Sequence, residues 1–269
     1  MDAPRIARCV SPRHARILLV AGSMPAGAGS AIDHIHDQIS HPRATVSWDG
    51  RSDPWAAIET TWRALCSGDR DETDRLPDRP PRPWRGIGPH GQGGEGMTGG
   101  TPYGRPMAMR GDDPRDGLSL DLVQTPIGPF APMLPPGIAM TVCFQGDLIA
   151  RCTIDSAPFE QSIDDDAPQA CAARLAAALG AARAARRLRA GRGPGTIGLG
   201  LALPAGLAVD RQGRDARTRL RAWLSGESAN SGIDDLAAAI TGLEWREAVC
   251  AINSLTIADL RNASPGRPR

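Results

Sequence analysis

Of the 269 residues none is lysine; all 31 basic residues are arginine. That absence excludes a phosphate-loop lysine, a Schiff-base lysine and a lysine general base, and with them much nucleoside-triphosphate and pyridoxal chemistry. Aromatic residues make up only 4% of the chain. The apolar run 17–22 is shorter than a signal peptide's apolar region, and neither it nor the later stretch 196–209, broken by glycines and Pro204, reaches the roughly 20 residues that a membrane-spanning helix requires. Net charge is also lacking, at +1, which argues against nucleic acid as a partner. The six cysteines (Cys9, Cys66, Cys143, Cys152, Cys171 and Cys250) contain no C-x-x-C pair. They therefore read as unpaired thiols in a reducing cytoplasm and not as a zinc, iron–sulfur or redox site.

What is present is glycine and proline, 31 and 24 residues, and they are unevenly spread. Residues 1–66 read as a small α/β unit. Ile17–Ala21 forms a short buried-type strand, Gly22–Gly29 a loop, and Ser30 caps a helix that runs to His41. Ala44–Trp48 follows as a second strand. A helix over Trp55–Cys66 is capped by Asp53 with Pro54 in its first turn, and carries Trp55, Ile58, Thr61, Trp62 and Leu65 at helical spacing. Strand–helix–strand–helix order predicts a parallel sheet. Residues 67–117 are dense in Pro, Gly and Arg without an apolar period, the composition of a flexible linker.

Residues 118–269 read as a β-meander followed by helices, so the fold class expected for the whole chain is α+β. The strands are 118–123, 138–144 and 148–154, with Thr125–Gly137 as a proline-rich turn and Gln145-Gly146-Asp147 as a tight hairpin. One Ala- and Arg-rich helix is expected over Pro168–Ala190. Its Arg183, Arg186, Arg187 and Arg189 suit either the C-terminal end of a helix dipole or an anionic partner surface. Shorter helices follow near 215–224, 233–241, 245–252 and 257–261.

Three clusters invite a chemical reading. His34 and His36 sit two apart, about 200° around a helix, so they do not share a metal, and a solvated polar face is expected there. No nucleophile motif accompanies His34, His36 or His41 as a histidine catalyst. The glycine spacing after the first strand matches neither phosphate-binding fingerprint and reads as a turn. The acid run 164–166 precedes a helix N-terminus, where negative charge is stabilising.

The stretch Gly128-Pro129-Phe130-Ala131-Pro132 through Gly137, an alternating apolar strand, then Gly146-Asp147-Leu148-Ile149, is the most specific. It resembles the N-terminal hairpin signature of the quinone-site (D) subunit of NADH–quinone oxidoreductase, a family related to the large subunit of nickel–iron hydrogenases. The resemblance covers about thirty residues. The family's loop carries a His near the quinone headgroup, where this chain has Phe130 and Ala131, and the paired C-x-x-C motifs of the hydrogenases are missing. The resemblance implies a reduced, non-catalytic relative. Such a protein is an accessory subunit of a membrane-associated oxidoreductase, cytoplasmic or peripheral on the inner face of the membrane. Quinone enters only as the family's cofactor; no motif here binds one. Gly128, Pro129, Phe130, Pro132, Gly137, Gly146 and Asp147 are then the candidate docking or quinone-proximal residues. Two other readings remain open: a scaffold binding partners through the Pro/Gly/Arg linker, and a small enzyme using the N-terminal histidines.

Overall fold

A computed structural model describes residues 6, 9, 11–77, 109–112, 117, 119–160, 166–193, 202–229 and 232–264. The fold is mixed α+β, and the chain divides into two compact units at Arg82/Pro83. No helix among the described residues is long and apolar enough to cross a membrane.

In the first unit, β1 (Ile17–Ala21) and β2 (Ala44–Trp48) pair in parallel, Ile17 opposite Ala44 through Ala21 opposite Trp48. The crossover between them carries α1 (Gly29–Asp37), and α2 (Pro54–Ser67) follows. Helix α1 begins at Gly29 behind Ala28 with no side-chain cap, so Ser30 does not play the capping role expected of it. It also stops at Asp37, short of His41, with Gln38 as its C-cap. Helix α2 starts as expected: the Asp53 carboxylate accepts from the Trp55 N–H at 3.0 Å, and Gly68 closes the far end at φ +79°. Ile58, Thr61 and Leu65 face inward with Ile32, Ile39, Ala44 and Val46, whereas Trp62 lies off that stripe and is 50% exposed.

The linker expected over 67–117 is corrected at both ends. Residues 69–76 fold back along the outer edge of β2: Glu72 N–H donates to the Arg43 carbonyl at 2.9 Å, and Thr45 N–H donates to the Glu72 carboxylate at 3.0 Å. A sequence of alternating charges without Pro or Gly, DRDETDR, is held here by salt bridges and not by apolar burial. Met109–Asp112 forms a strand, β3, antiparallel to β4 (Ser119–Ile127). Residues 78–108 of the expected linker lie outside the described residues.

The second unit is an antiparallel sheet in the order β3–β4–β5–β6, with β5 at Ala139–Gln145 and β6 at Leu148–Ser156. Strand β4 runs on through Thr125, Pro126 and Ile127, which pair with Val142, Thr141 and Met140, so the proline-rich turn starts only at Gly128. Among the described residues β3 pairs with β4 as far as Leu122, and Pro126 pairs with Thr141 on the β5 side. Gln145 pairs with Leu148 across the two-residue turn Gly146–Asp147, and Gly146 supplies its positive φ of 64°. One sheet face (Met140, Val142, Ile149 and Ile154) packs into the core.

Helices complete that core. The single helix expected over 168–190 is two: Gly180 takes φ +79° and ends α3 (Pro168–Ala178), and α4 (Ala182–Arg189) folds back against it. After α5 (Ala216–Leu224) come α6 (Leu236–Ile240), α7 (Trp245–Asn253) and α8 (Ile257–Asn262). Asp215, Asp235 and Thr256 cap three of these with side-chain oxygens, and Glu244 and Glu247 form a capping box on α7. Leu175, Leu220, Trp223, Leu236, Ile240, Ile252 and Leu260 are buried between them.

Candidate docking site

The seven candidate residues separate into two groups at opposite ends of β5, a strand of about 23 Å at the usual rise per residue. Gly128, Pro129, Phe130, Pro132 and Gly137 belong to the loop entering β5; Gly146 and Asp147 belong to the hairpin leaving it.

The loop is held from three sides. Gly137 N–H donates to the Pro129 carbonyl at 2.8 Å, closing it on itself. Behind it, the Ser156 hydroxyl donates to the Gly137 carbonyl at 2.6 Å and Phe159 N–H donates to the Pro136 carbonyl at 2.9 Å. From α7 the buried Asn253 amide donates to the Met133 carbonyl at 2.7 Å. Leu134 is buried in the core, and the Phe130 ring packs on Phe159 with centroids 5.7 Å apart. Pro132 and Met133 are left as the outward tip, Met133 being 52% exposed.

Steric necessity fixes the two glycines. A Cβ on Gly128 would stand 2.1 Å from the Ile138 carbonyl oxygen, and one on Gly137 would stand 2.2 Å from the Phe159 nitrogen; both have φ near +100°. Gly146 differs: its φ is positive, but nothing lies within 4 Å of a Cβ there. That hairpin is clamped by the segment before α7. Trp245 N–H donates to the Asp147 carbonyl at 2.9 Å, Ile149 N–H donates to the Leu243 carbonyl at 2.9 Å, and Gly242 N–H returns a bond to Ile149.

The histidines part company. His34 is exposed, while His36 is fully buried, which corrects the solvated face expected for this pair. The spacing Ile32–His36–Ile39 places the imidazole in the apolar stripe of α1, a signal present in the sequence. Its Nδ1 lies 2.8 Å from Asp37 and its Nε2 lies 3.2 Å from Glu72. Both carboxylates are strongly acidic. Burial pushes Asp37 up, but the Arg75 and Leu76 N–H groups, His36 and Arg43 outweigh it and hold the carboxyl at about 2. Burial opposes Glu72 in the same way, and Thr45, Arg70 and Arg75 bring it to about 2. Arg43, 1% exposed, completes the cluster by donating to the carbonyls of Glu72, His36 and Ile39 and pairing with Asp74. His41 is exposed and pairs with Asp71 at 2.8 Å. This assembly fastens residues 70–76 to α1 and β2; it is a clasp with no room for a substrate at His36.

The remaining clusters resolve as follows. The Gly22–Gly29 loop turns from β1 into α1 with Gly22 and Gly27 at positive φ. Asp166, the described member of the acid run, serves α8 and not the adjacent α3: its carboxylate accepts from the N–H groups of Ile257 and Ala258. None of the six cysteines is in a disulfide; Cys171 and Cys250 are buried, and burial pushes the Cys171 thiol up to about 11. Among the described residues no group of three or more His, Cys, Asp or Glu is placed to hold a metal ion.

Comparison with protein-family models, curated proteins and solved structures found no match.

Proposed function

We propose that this chain is an accessory subunit, performing no chemistry itself, of a complex-I-like or hydrogenase-like oxidoreductase. In this reading it acts in the cytoplasm, peripheral on the inner face of the membrane, and docks on its partners through the 128–137 loop. The observation that carries the proposal is a coincidence of two independent facts. The residues through which the chain resembles the quinone-site family's hairpin include Gly128 and Gly137, and these are the two loop positions with no room for any side chain. The same turn geometry is therefore demanded by sequence signature and by packing. A docking role is supported by the rigidity of the loop, since a surface already held by Asn253, Ser156 and Phe159 loses little entropy when a partner covers it. Phe130 stands where the family has its quinone-proximal His, and its ring is turned onto Phe159, which suits a structural loop better than a redox one.

Affinity capture of the tagged chain from detergent-solubilised membranes of its native host tests the proposal. Co-recovery of iron–sulfur or proton-pumping subunits, lost when Pro132 and Met133 are both replaced by Asp, is the expected result. Recovery of the chain alone, as a cytosolic monomer, overturns it.

A further inference from the structure

The meander carries a cleft of about 230 Å³ lined by Gln124, Thr141, Cys143, Arg151, Cys152 and Thr153. Strand pairing assembles it. Gln124 stands opposite Cys143 and Cys143 opposite Arg151, so β4, β5 and β6 each give one side chain to a single row. Thr141 and Thr153 pair two positions further along, on the same face. Met140, Val142 and Ile154 alternate with these residues and point into the core, which leaves the cleft on the sheet face turned away from the helices.

A polar outer face is the ordinary condition of such a sheet; the arrangement of charge within this one is not. The Arg151 guanidinium donates to the Cys143 sulfur at 3.9 Å, a weak acceptor, and no acid among the described residues pairs with it. Asp155 is the one acid of β5 and β6. It lies four residues beyond Arg151, roughly 13 Å at the rise of a strand, and it accepts from the Thr141 hydroxyl at 2.8 Å. The side chains of Gln124 and Thr153 make no hydrogen bond among the described residues. An arginine on a convex surface is simply solvated. In a concave one, between neutral groups with donors to spare, it concentrates positive potential where a ligand can sit.

We infer that this cleft binds a small hydrophilic oxyanion, a molecule whose carboxylate or phosphate group rests on Arg151. A guanidinium meets two oxygens of such a group in bidentate geometry. The Gln124 amide and the Thr153 hydroxyl supply neutral donors beside it. The Thr141 oxygen, whose own proton is committed to Asp155, accepts from a hydroxyl of the ligand. Size and lining narrow the class further. The space is that of about seven or eight waters, below the range of pockets for drug-sized ligands. No aromatic or aliphatic side chain lines it, so a quinone ring, a nucleobase or an acyl chain finds no apolar contact there. The site uses none of the docking-loop residues and is independent of the function proposed above.

Cys143 serves as the reporter, because iodoacetate carries a carboxylate and iodoacetamide does not. With either reagent the cysteine sulfur displaces iodide. Peptide mass spectrometry of the full chain reads each cysteine separately, with the exposed Cys9 and Cys66 as internal references. The ratio of iodoacetate to iodoacetamide rates is expected to be about ten-fold higher at Cys143 than at the references. It should fall to the reference value in Arg151→Gln, while Arg151→Lys, which keeps the charge without the fork, retains part of it. Inorganic phosphate or acetate, at an ionic strength held constant with chloride, should protect Cys143 saturably and leave Cys9 and Cys66 unprotected. Stronger protection by phosphate assigns the ligand a phosphate group, and stronger protection by acetate a carboxylate. A ratio at Cys143 equal to that of the references, a ratio untouched by Arg151→Gln, or the lack of saturable protection by either anion overturns the inference. Arg151 is exposed, so its variants should fold, and circular dichroism checks that. Should Cys143 react with neither reagent, the nuclear magnetic resonance signal of Arg151 Nε–H, assigned by its loss in Arg151→Gln, decides with the same two anions. A saturable shift then supports the site, and no shift overturns it.

Discussion

His36 Nε2 lies 3.2 Å from the Glu72 carboxylate, across 36 positions of sequence, and that approach closes a charged clasp on the first unit. Asp37 and Glu72 in the clasp titrate at about 2, below their ordinary range near 4, so they stabilise the fold wherever they are ionised. Their contribution is complete above the unfolded value and is lost as pH falls toward 2, which makes this unit acid-labile. Glu72→Gln should cost about 2 kcal/mol at pH 7 and roughly half of that at pH 3, with Asp37→Asn alike. Urea midpoints at the two pH values, followed by tryptophan fluorescence, measure it. A cost independent of pH would show that the carboxylate charge is not what fastens the clasp.

Arg219 fills a comparable place in the second unit. Fully buried, it donates to the Ser254 carbonyl at 2.7 Å and hydroxyl at 2.8 Å, to the carbonyls of Arg214 and Ala208, and lies 3.6 Å from buried Asp210. Arg219→Met keeps the volume but strands these acceptors and leaves Asp210 without this buried counter-charge. The expected cost is about 3–5 kcal/mol by chemical denaturation. Adding Asp210→Asn should recover part of it, because the uncompensated charge then goes; a double variant as unstable as the sum of the singles contradicts that coupling.

The loop glycines give a graded set. Gly128→Ala and Gly137→Ala place a Cβ within about 2 Å of backbone atoms and should each cost more than about 3 kcal/mol. Gly146→Ala meets only the positive-φ penalty, about 1 kcal/mol. Thermal melts of the three variants should therefore separate cleanly, and equal losses would mean that the loop yields to accommodate a side chain.

What could be read in the sequence was whatever local rules decide. Alternation and a Gly-Asp turn place β5 and β6 within a residue or two, and Asp53-Pro54 marks the start of α2, because pleat, turn and cap are settled within a few residues. The strap 69–76 was hidden because its partners, Arg43 and His36, are some thirty residues away and its residues carry no apolar period. Composition alone merges it with the proline-rich stretch that begins at Pro77. The break between α3 and α4 was hidden for a different reason. Gly180 sits inside an alanine-rich run whose propensity favours one helix, and tertiary packing of α4 against α3 overrides it. At the candidate site the turn residues were legible; that Gly128 and Gly137 face backbone while Gly146 faces open space depends on Ile138 and Phe159 and is visible only in three dimensions.

Asp166 and Asp215 cap helices in two different ways, and the difference predicts different losses. Asp215 caps its own helix, accepting from Thr218 N–H at 2.8 Å and from Gly206 N–H at 3.0 Å; burial pushes its carboxyl up, and these bonds bring it down to about 2. Removing it as Asp215→Ala frees local donors at a partly open helix end, which water replaces, so about 1 kcal/mol is expected. Asp166 reaches 91 positions along the chain to Ile257 N–H, and its neighbour Ala258 N–H at 3.0 Å. It therefore fixes the start of α8 to the start of α3 as well as satisfying two donors. Asp166→Ala should cost about 2 kcal/mol, since charge-assisted bonds to a helix N-terminus and a tertiary link go together. Asp166→Asn, which keeps an acceptor but not the charge, should fall between. Hydrogen exchange at Ile257 and Ala258 distinguishes the two contributions. Faster exchange there with α3 protection unchanged would reduce Asp166 to a cap, whereas loss of protection at both helices is the result expected of a link.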